Sequence, residues 1–376
     1  MEYVSGLNRV NDDVLALICA AVKQSQNSGR VWDWNDSDHI SLSPLNALSL
    51  TCRRVRAQCV PYLFQQITLC CVADHPWARA IEMLSDWNPA HSAYVRELSI
   101  ALSGPYVFSG PHDNLVEDLA TTLADTLYRI SKAATSLEAL RVEIDEFQVG
   151  LFQAAFAARG LIFPGVRRLT VGPFNDYMVA HCPHTTMLAG NRAWRSRREY
   201  ITREYTLRLF DQAVGLENLE CFALRTLWDY KLLVALGEAG LHVRTLLIPG
   251  FLDWFTRFEA LAVPLSLLPD VEVLSIPMAS ELNAGFEVPE CDDEGSDSER
   301  SAWEAYMDLQ RQEAEERVAV FVFEHCPGLR ELWFDTSTKA SRIQDERDRG
   351  DGGEDGGGLV WLRGDEVEPP PWAAWI

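Results

Sequence analysis

Val243-Arg244-Thr245-Leu246-Leu247-Ile248 and, 28 residues on, Val271-Glu272-Val273-Leu274-Ser275-Ile276 share one pattern: apolar, two variable positions, leucine, one variable position, apolar. The pattern recurs in both directions along the chain. It is found as Val95 to Ile100, Leu137 to Val142, Val166 to Val171, Leu216 to Cys221 and Leu329 to Phe334. The seven starts, at 95, 137, 166, 216, 243, 271 and 329, are separated by 42, 29, 50, 27, 28 and 58 residues. In an extended strand, positions 4 and 6 point to one face and positions 3 and 5 to the other, while position 1 enters the core from the preceding turn.

Between these runs lie helical patterns, over residues 115–130, 149–158, 193–213, 230–239 and 318–325, long enough to carry the chain back to the start of the next strand. The lead-ins Phe163-Pro164-Gly165, Leu268-Pro269-Asp270 and Cys326-Pro327-Gly328 punctuate equivalent places. Three intervals fall at 27–29 residues, within the 20–29 residues of leucine-rich repeats. Stacked strand–helix units of this kind form a parallel sheet lined by outer helices, each unit burying its apolar face against its neighbours. No asparagine ladder follows position 6, so the repeats are irregular.

The 376 residues are 47% apolar and 23% charged, with mean hydropathy -0.09 and nine scattered cysteines without a CxxC pair. Reduced, buried thiols of an intracellular protein fit that usage better than a disulfide framework. The N-terminus lacks a basic segment followed by an apolar one and does not read as a secretory signal. No uninterrupted apolar stretch suits a membrane helix. The expected location is cytoplasmic, nuclear or both, with no membrane partner. The net charge of -22 is concentrated in residues 281–376, which hold 25 Asp/Glu against 9 Lys/Arg. A nucleic-acid binder needs a broad basic face, so no nucleic-acid partner is expected.

Residues 7–69 have a different pattern. Leu7, Val10, Val14, Leu15, Leu17 and Ile18 form an apolar helical stripe that Asn11 or Asp12 could cap. After a polar loop, Ser43 and Pro44 open a second helix with Leu45, Leu48, Cys52 and Val55 at helical spacing, and Arg53, Arg54 and Arg56 crowd its end. Pro61, Tyr62, Leu63, Phe64, Ile67 and Leu69 lead into the first strand. This stretch resembles an F-box as found in fungal F-box proteins, best over LNALSLTCRRVRAQCVPYLFQQITL. Asn11 stands where the family has proline, and the loop at 23–42 is longer. Irregular leucine-rich repeats are a common companion of that box. The resemblance implies docking on a Skp-type adaptor of a cullin-RING ubiquitin ligase through Leu7, Val10, Leu15, Ile18, Leu45, Leu48, Cys52 and Val55. A helical piece of about 60 residues buries its apolar surface poorly alone, which agrees. It could also be the N-terminal cap that repeat arrays require.

No P-loop, GxGxxG after a strand, HExxH, GxSxG or nucleophile–base set occurs, so an enzyme, a cofactor and a metal site are not expected. His181-Cys182-Pro183-His184 reads as a turn rather than a zinc ligand set. Arg192, Arg195, Arg197, Arg198, Arg203 and Arg208 form a helical basic cluster. It is either a solvated face paired with Glu199 and Glu204 or a patch for an acidic segment. Positions 3 and 5 of the strands, with Arg244 or Thr245 in the 243 motif, nominate a substrate face: Glu97, Arg168, Arg244, Glu331 and Trp333, with Trp361 or Trp372 able to fold back over Trp333.

The sequence thus predicts an α/β chain. A helical F-box-like module spans 1–70, and an irregular leucine-rich-repeat-like solenoid of parallel strands and outer helices spans 71–335, with an acidic insertion at 285–302. A mostly disordered, acidic, Gly-rich tail with a short aromatic end spans 336–376. The expected function is that of a non-enzymatic substrate receptor binding the adaptor, cullin ligase subunits and an unknown protein substrate. The alternative is a repeat scaffold for protein interaction with no ligase role.

Overall fold

A computed structural model describes residues 10–27, 44–71, 77–102, 113–134, 136–190, 199–224, 226–228, 230–252, 256–282, 284, 297–334, 337–342, 359–368, 370 and 372. The chain divides into two compact units, 1–166 and 167–376.

The first unit opens with α1 (Asp12–Asn27), α2 (Pro44–Ser49) and α3 (Arg53–Leu63). The Asn11 side chain accepts the N–H of Asp13 at the start of α1, where Asp12 and Asp13 also complement the helix dipole. Leu15 and Cys19 of α1, Leu45 of α2, and Val55 and Cys59 of α3 make a closed core, flanked by Val10, Val22, Leu48, Cys52, Tyr62 and Leu63. Arg54 of α3 ties down the start of α1 by an ion pair to Asp12 at 2.7 Å and a bond to the Val10 carbonyl.

The chain continues through β1 (Gln66–Cys71), α4 (Trp77–Ser85), α5 (Pro89–Ser92), β2 (Glu97–Leu102), α6 (Asp113–Ala133), β3 (Ala139–Ile144) and α7 (Val149–Arg159). The three strands are parallel, with Gln66, Glu97 and Ala139 in register. Leu98, Ile100, Leu140 and Val142, at positions 4 and 6, are buried, as are Leu119, Leu123 and Leu127, which recur at helical spacing on α6.

The second unit contains β4 (Arg168–Val171), β5 (Met187–Gly190), α8 (Glu199–Val214), β6 (Cys221–Leu224), β7 (Thr226–Trp228), α9 (Tyr230–Glu238), β8 (Thr245–Leu247), β9 (Gly250–Leu252), α10 (Ala262–Ser266), β10 (Val273–Ile276), α11 (Asp297–His325), β11 (Glu331–Phe334), β12 (Thr338–Arg342) and β13 (Leu359–Arg363). Its main sheet runs β4-β5-β6-β8-β10-β11-β12-β13, parallel as far as β11 and antiparallel beyond; β7 and β9 form a separate parallel pair. The position-4 residues Leu169, Phe222, Leu246, Leu274 and Leu332 are buried. They face the helices: Phe210 of α8 meets the Phe222 ring at 5.6 Å, and the Tyr205 hydroxyl donates to the Val171 carbonyl.

One hydrogen-bond arrangement repeats across this sheet. The carbonyl of Arg167 accepts from the N–H groups of Thr186 and Met187, and that of Thr186 from Glu220 and Cys221. The Glu220 carbonyl accepts from Arg244 and Thr245, the Arg244 carbonyl from Glu272 and Val273, and the Glu272 carbonyl from Arg330 and Glu331. The residue before each strand therefore forms a rung whatever the length of the return between strands.

The expected mixed α/β architecture with parallel strands is present, with four differences. The strand of the fourth motif, β6, begins at Cys221, three residues later than the 216 motif places it, because Leu219-Glu220-Cys221-Phe222-Ala223-Leu224 fits the same pattern and pairs in register with β8. The 50-residue interval hides β5, whose position 6 is Gly190. There a Cβ would lie 2.6 Å from Leu224 Cδ1 of β6 and 2.8 Å from Leu209 Cδ2 of α8, so the apolar signature is absent where these two side chains crowd the strand. The acidic insertion gives way at residue 297 to α11, which is far longer than 318–325. The tail expected to be disordered contributes β12 and β13, paired through Ala340 and Trp361. Cross-strand pairing supplies the order that local composition does not; residues 343–358 lie outside the described residues.

Candidate functional site

Two surfaces stand out, and the first is on α1. Leu15, Cys19 and Val22 turn one stripe inward. Val14, Leu17 and Ile18 form a second stripe that stays in solvent, with Leu17 69% exposed. Leu50, after α2, is 67% exposed. This placement redistributes the residues nominated for the adaptor. Leu15, Leu45 and Val55 are core and unavailable to a partner, Val10, Leu48 and Cys52 are half-buried around that core, and Ile18 is exposed. Leu7 lies outside the described residues. Val14 and Leu17, named in the sequence stripe but not as contacts, are the accessible members. Spacing alone shows an apolar helix without showing which of two adjacent stripes its neighbours cover.

The second surface is the sheet face opposite the helices. In the first unit this face is polar and half-buried. Lys23 of α1 donates to the Gln66 side-chain oxygen at 3.0 Å, and Gln66 donates to Glu97 at 2.8 Å. Burial lowers the Lys23 pKa, an effect that Glu97 opposes. Beside them Arg141 pairs with Glu143 at 2.6 Å. Position 5 of the 137 motif already placed Arg141 on this face, although only Glu97 was singled out.

In the second unit the corresponding face is closed. Position 5 forms a continuous row in register: Thr170, Ala189, Ala223, Leu247, Ser275 and Trp333. Ala189, Ala223, Leu247 and Trp333 join Val367 and Trp372 in one buried cluster. Trp333 is 4% exposed, not outward and wet, because the Trp372 ring covers it edge-on at 5.6 Å. Its indole N–H donates to Glu331, which also accepts from Lys339, and the Lys339 ammonium sits 5.2 Å from the Trp333 ring centre. Glu331 is thereby committed internally. Arg168 is half-buried on β4, and Arg244 is an exposed rung residue preceding β8 rather than a member of the strand face. These five residues therefore do not form one open site.

The turn at 181–184 buries Cys182 and exposes His184, whose carbonyl accepts from Arg167. Among the described residues no group of three or more His, Cys, Asp and Glu could hold a metal ion. Of the arginine cluster, Arg208 faces Asp176 and Glu204, both at 3.6 Å, and lies over the Phe174 ring. Arg192, Arg195, Arg197 and Arg198 and the side chain of Arg203 lie outside the described residues. No helix among the described residues is long and apolar enough to cross a membrane.

Burial pushes the Cys221 and Cys326 thiols up to about 12, and burial with the neighbouring Cys19 does the same for Cys59. A thiol at that value is almost wholly protonated at pH 8 and is a poor nucleophile. These three cysteines should therefore resist maleimide in the folded chain and label quickly in urea. Rapid native labelling of any of them would contradict the burial described.

No known protein-family model matches the chain, and no curated protein matches it.

Proposed function

We propose that the protein is a non-enzymatic substrate receptor of an F-box-type cullin-RING ubiquitin ligase. Its N-terminal helices bind a Skp-type adaptor, and its array of irregular leucine-rich-repeat-like units holds a protein substrate. The ubiquitin-transfer chemistry belongs to the partner subunits. The observation that supports this is the second apolar stripe of α1, Val14, Leu17 and Ile18, exposed on a module whose own core is already filled by Leu15, Cys19, Leu45, Val55 and Cys59. A plain cap needs one apolar face; a second one in water suits a docking helix. The polar, half-buried face of the first unit, with Glu97, Arg141 and Glu143, is the surface for a substrate.

Leu17→Asp should leave the chain folded and weaken co-purification with the adaptor at least tenfold, because an apolar anchor is replaced by a charge that must be desolvated. Leu15→Asp serves as the contrast, since it should disrupt the helical module itself. A Leu17→Asp chain that still retains adaptor at the wild-type level sinks the adaptor reading and leaves the repeat scaffold.

A further inference from the structure

The covered face of the second unit is built as a groove. Its floor is the position-5 row, where Ala189, Ala223 and Ser275 are small side chains among larger ones, and Trp333 stands at the β11 end of the row. What fills it is not another strand. After β13 the chain turns through residues 364–366 and lays Val367 and Trp372, five positions apart, on this floor. Among the described residues of this segment, the backbone bonds are from Gly364 N–H to the Ser337 carbonyl and from Val367 N–H to the Gly364 carbonyl. The segment reads Glu366-Val367-Glu368-Pro369-Pro370-Pro371-Trp372. Its three prolines have no N–H to offer a sheet, and such sequences favour an extended form. Glu366 and Glu368 remain exposed while Val367 and Trp372 are buried. The strap is thus held by a few side chains. By contrast, β13 is fixed by its ladder with β12 and by the ion pair of Arg363 with buried Glu315 on α11.

We infer that this groove is a recognition site for an extended, proline-containing segment with an aliphatic and a tryptophan side chain spaced as Val367 and Trp372 are. The chain's own Val367 and Trp372 occupy it in the resting protein. A partner carrying such a segment enters by displacing the strap, so the strap sets a threshold for binding, as any competitor tethered at high effective concentration does. The inference deepens the reading of the array as a substrate-holding surface and is independent of adaptor docking. A chain that fails the Leu17→Asp test can still pass this one.

The probe is a fluorescent peptide of residues 364–376, titrated into the full-length wild type and into full-length Trp372→Ala. The variant's strap is weakened, so it should bind the peptide at least tenfold more tightly than the wild type. A peptide carrying the same Trp372→Ala change should bind neither. A folded Trp372→Ala chain that ignores the peptide, or binds it no better than the wild type does, overturns the inference. Should that variant fail to fold, saturating peptide is added to the wild type and backbone hydrogen exchange is read at residues 364–368. Faster exchange supports displacement, and unchanged exchange overturns it. Sedimentation showing self-association through exchanged tails would make a second copy the occupant and would also overturn the partner assignment.

Discussion

Phe222→Ala is expected to destabilise the second unit by about 4 kcal/mol. Phe222 is fully buried at position 4 of β6, in register between Leu188 of β5 and Leu246 of β8, with the Phe210 ring of α8 packed at 63° and 5.6 Å. Truncating a buried phenylalanine costs about 3–5 kcal/mol because transfer energy is lost and a cavity remains. The lost aromatic pair adds to the transfer term. Strands on both sides hold the backbone, so the site cannot collapse to fill the space. Urea unfolding followed by fluorescence measures the loss. Phe147→Ala is the control: its side chain is 76% exposed, and its removal should cost no more than about 0.5 kcal/mol. A loss below 1 kcal/mol at Phe222 would mean that the layer between β6 and α8 is not filled as described.

Gly328→Ala should cost about 3 kcal/mol, although it adds a single methyl group at an exposed turn. A Cβ at Gly328 would lie 2.5 Å from the carbonyl oxygen of Pro269. That oxygen belongs to the backbone of the equivalent turn one unit earlier, so no rotamer change relieves the clash and one turn must move. Overpacking of this kind costs about 1–3 kcal/mol, and a shift passed along stacked turns puts this site at the upper end. At roughly 3 °C per kcal/mol for a unit of this size, Tm should fall by about 9 °C. An unchanged Tm would show that the two turns do not abut.

Much of this architecture can be read from the sequence because the repeat makes the same physical demand each time. Leucine at position 4 and an apolar residue at position 6 are needed wherever a strand backs onto a helix. Where the demand differs, the signal disappears. Gly190 takes position 6 of β5 where Leu224 of β6 and Leu209 of α8 leave no room for a side chain, so that strand lacks its mark. Leu216 and Leu219 are both apolar, so the fourth motif can be read in two registers, and pairing with Thr245 selects the later one. Thr338–Arg342 is too polar to announce a strand. It becomes one because β11 and β13 supply partners on either side. The candidate surfaces were less legible for a related reason. Leu15 and Ile18 are equivalent in composition and spacing, and the positions of α2 and α3 decide that one is core and the other exposed. Position 5 puts Trp333 in one row with Ala223 and Leu247, but the strap that covers it returns from almost 40 residues further along the chain.

The rungs linking Arg167, Thr186, Glu220, Arg244, Glu272 and Arg330 have a practical consequence for altering this chain. Strands β4, β5, β6, β8, β10 and β11 start at residues 168, 187, 221, 245, 273 and 331, so the returns between them range widely in length while the rung itself does not change. Closing a longer loop costs little more than closing a short one, about 0.6 kcal/mol per doubling. Insertions on the return side are therefore tolerated, whereas deleting the first residue of a strand, directly after its rung, would turn every following side chain in that strand to the wrong face. The segment between residues 284 and 297 already joins a strand region to the 29-residue helix α11. A reporter domain spliced there would leave the strand spacing unaltered.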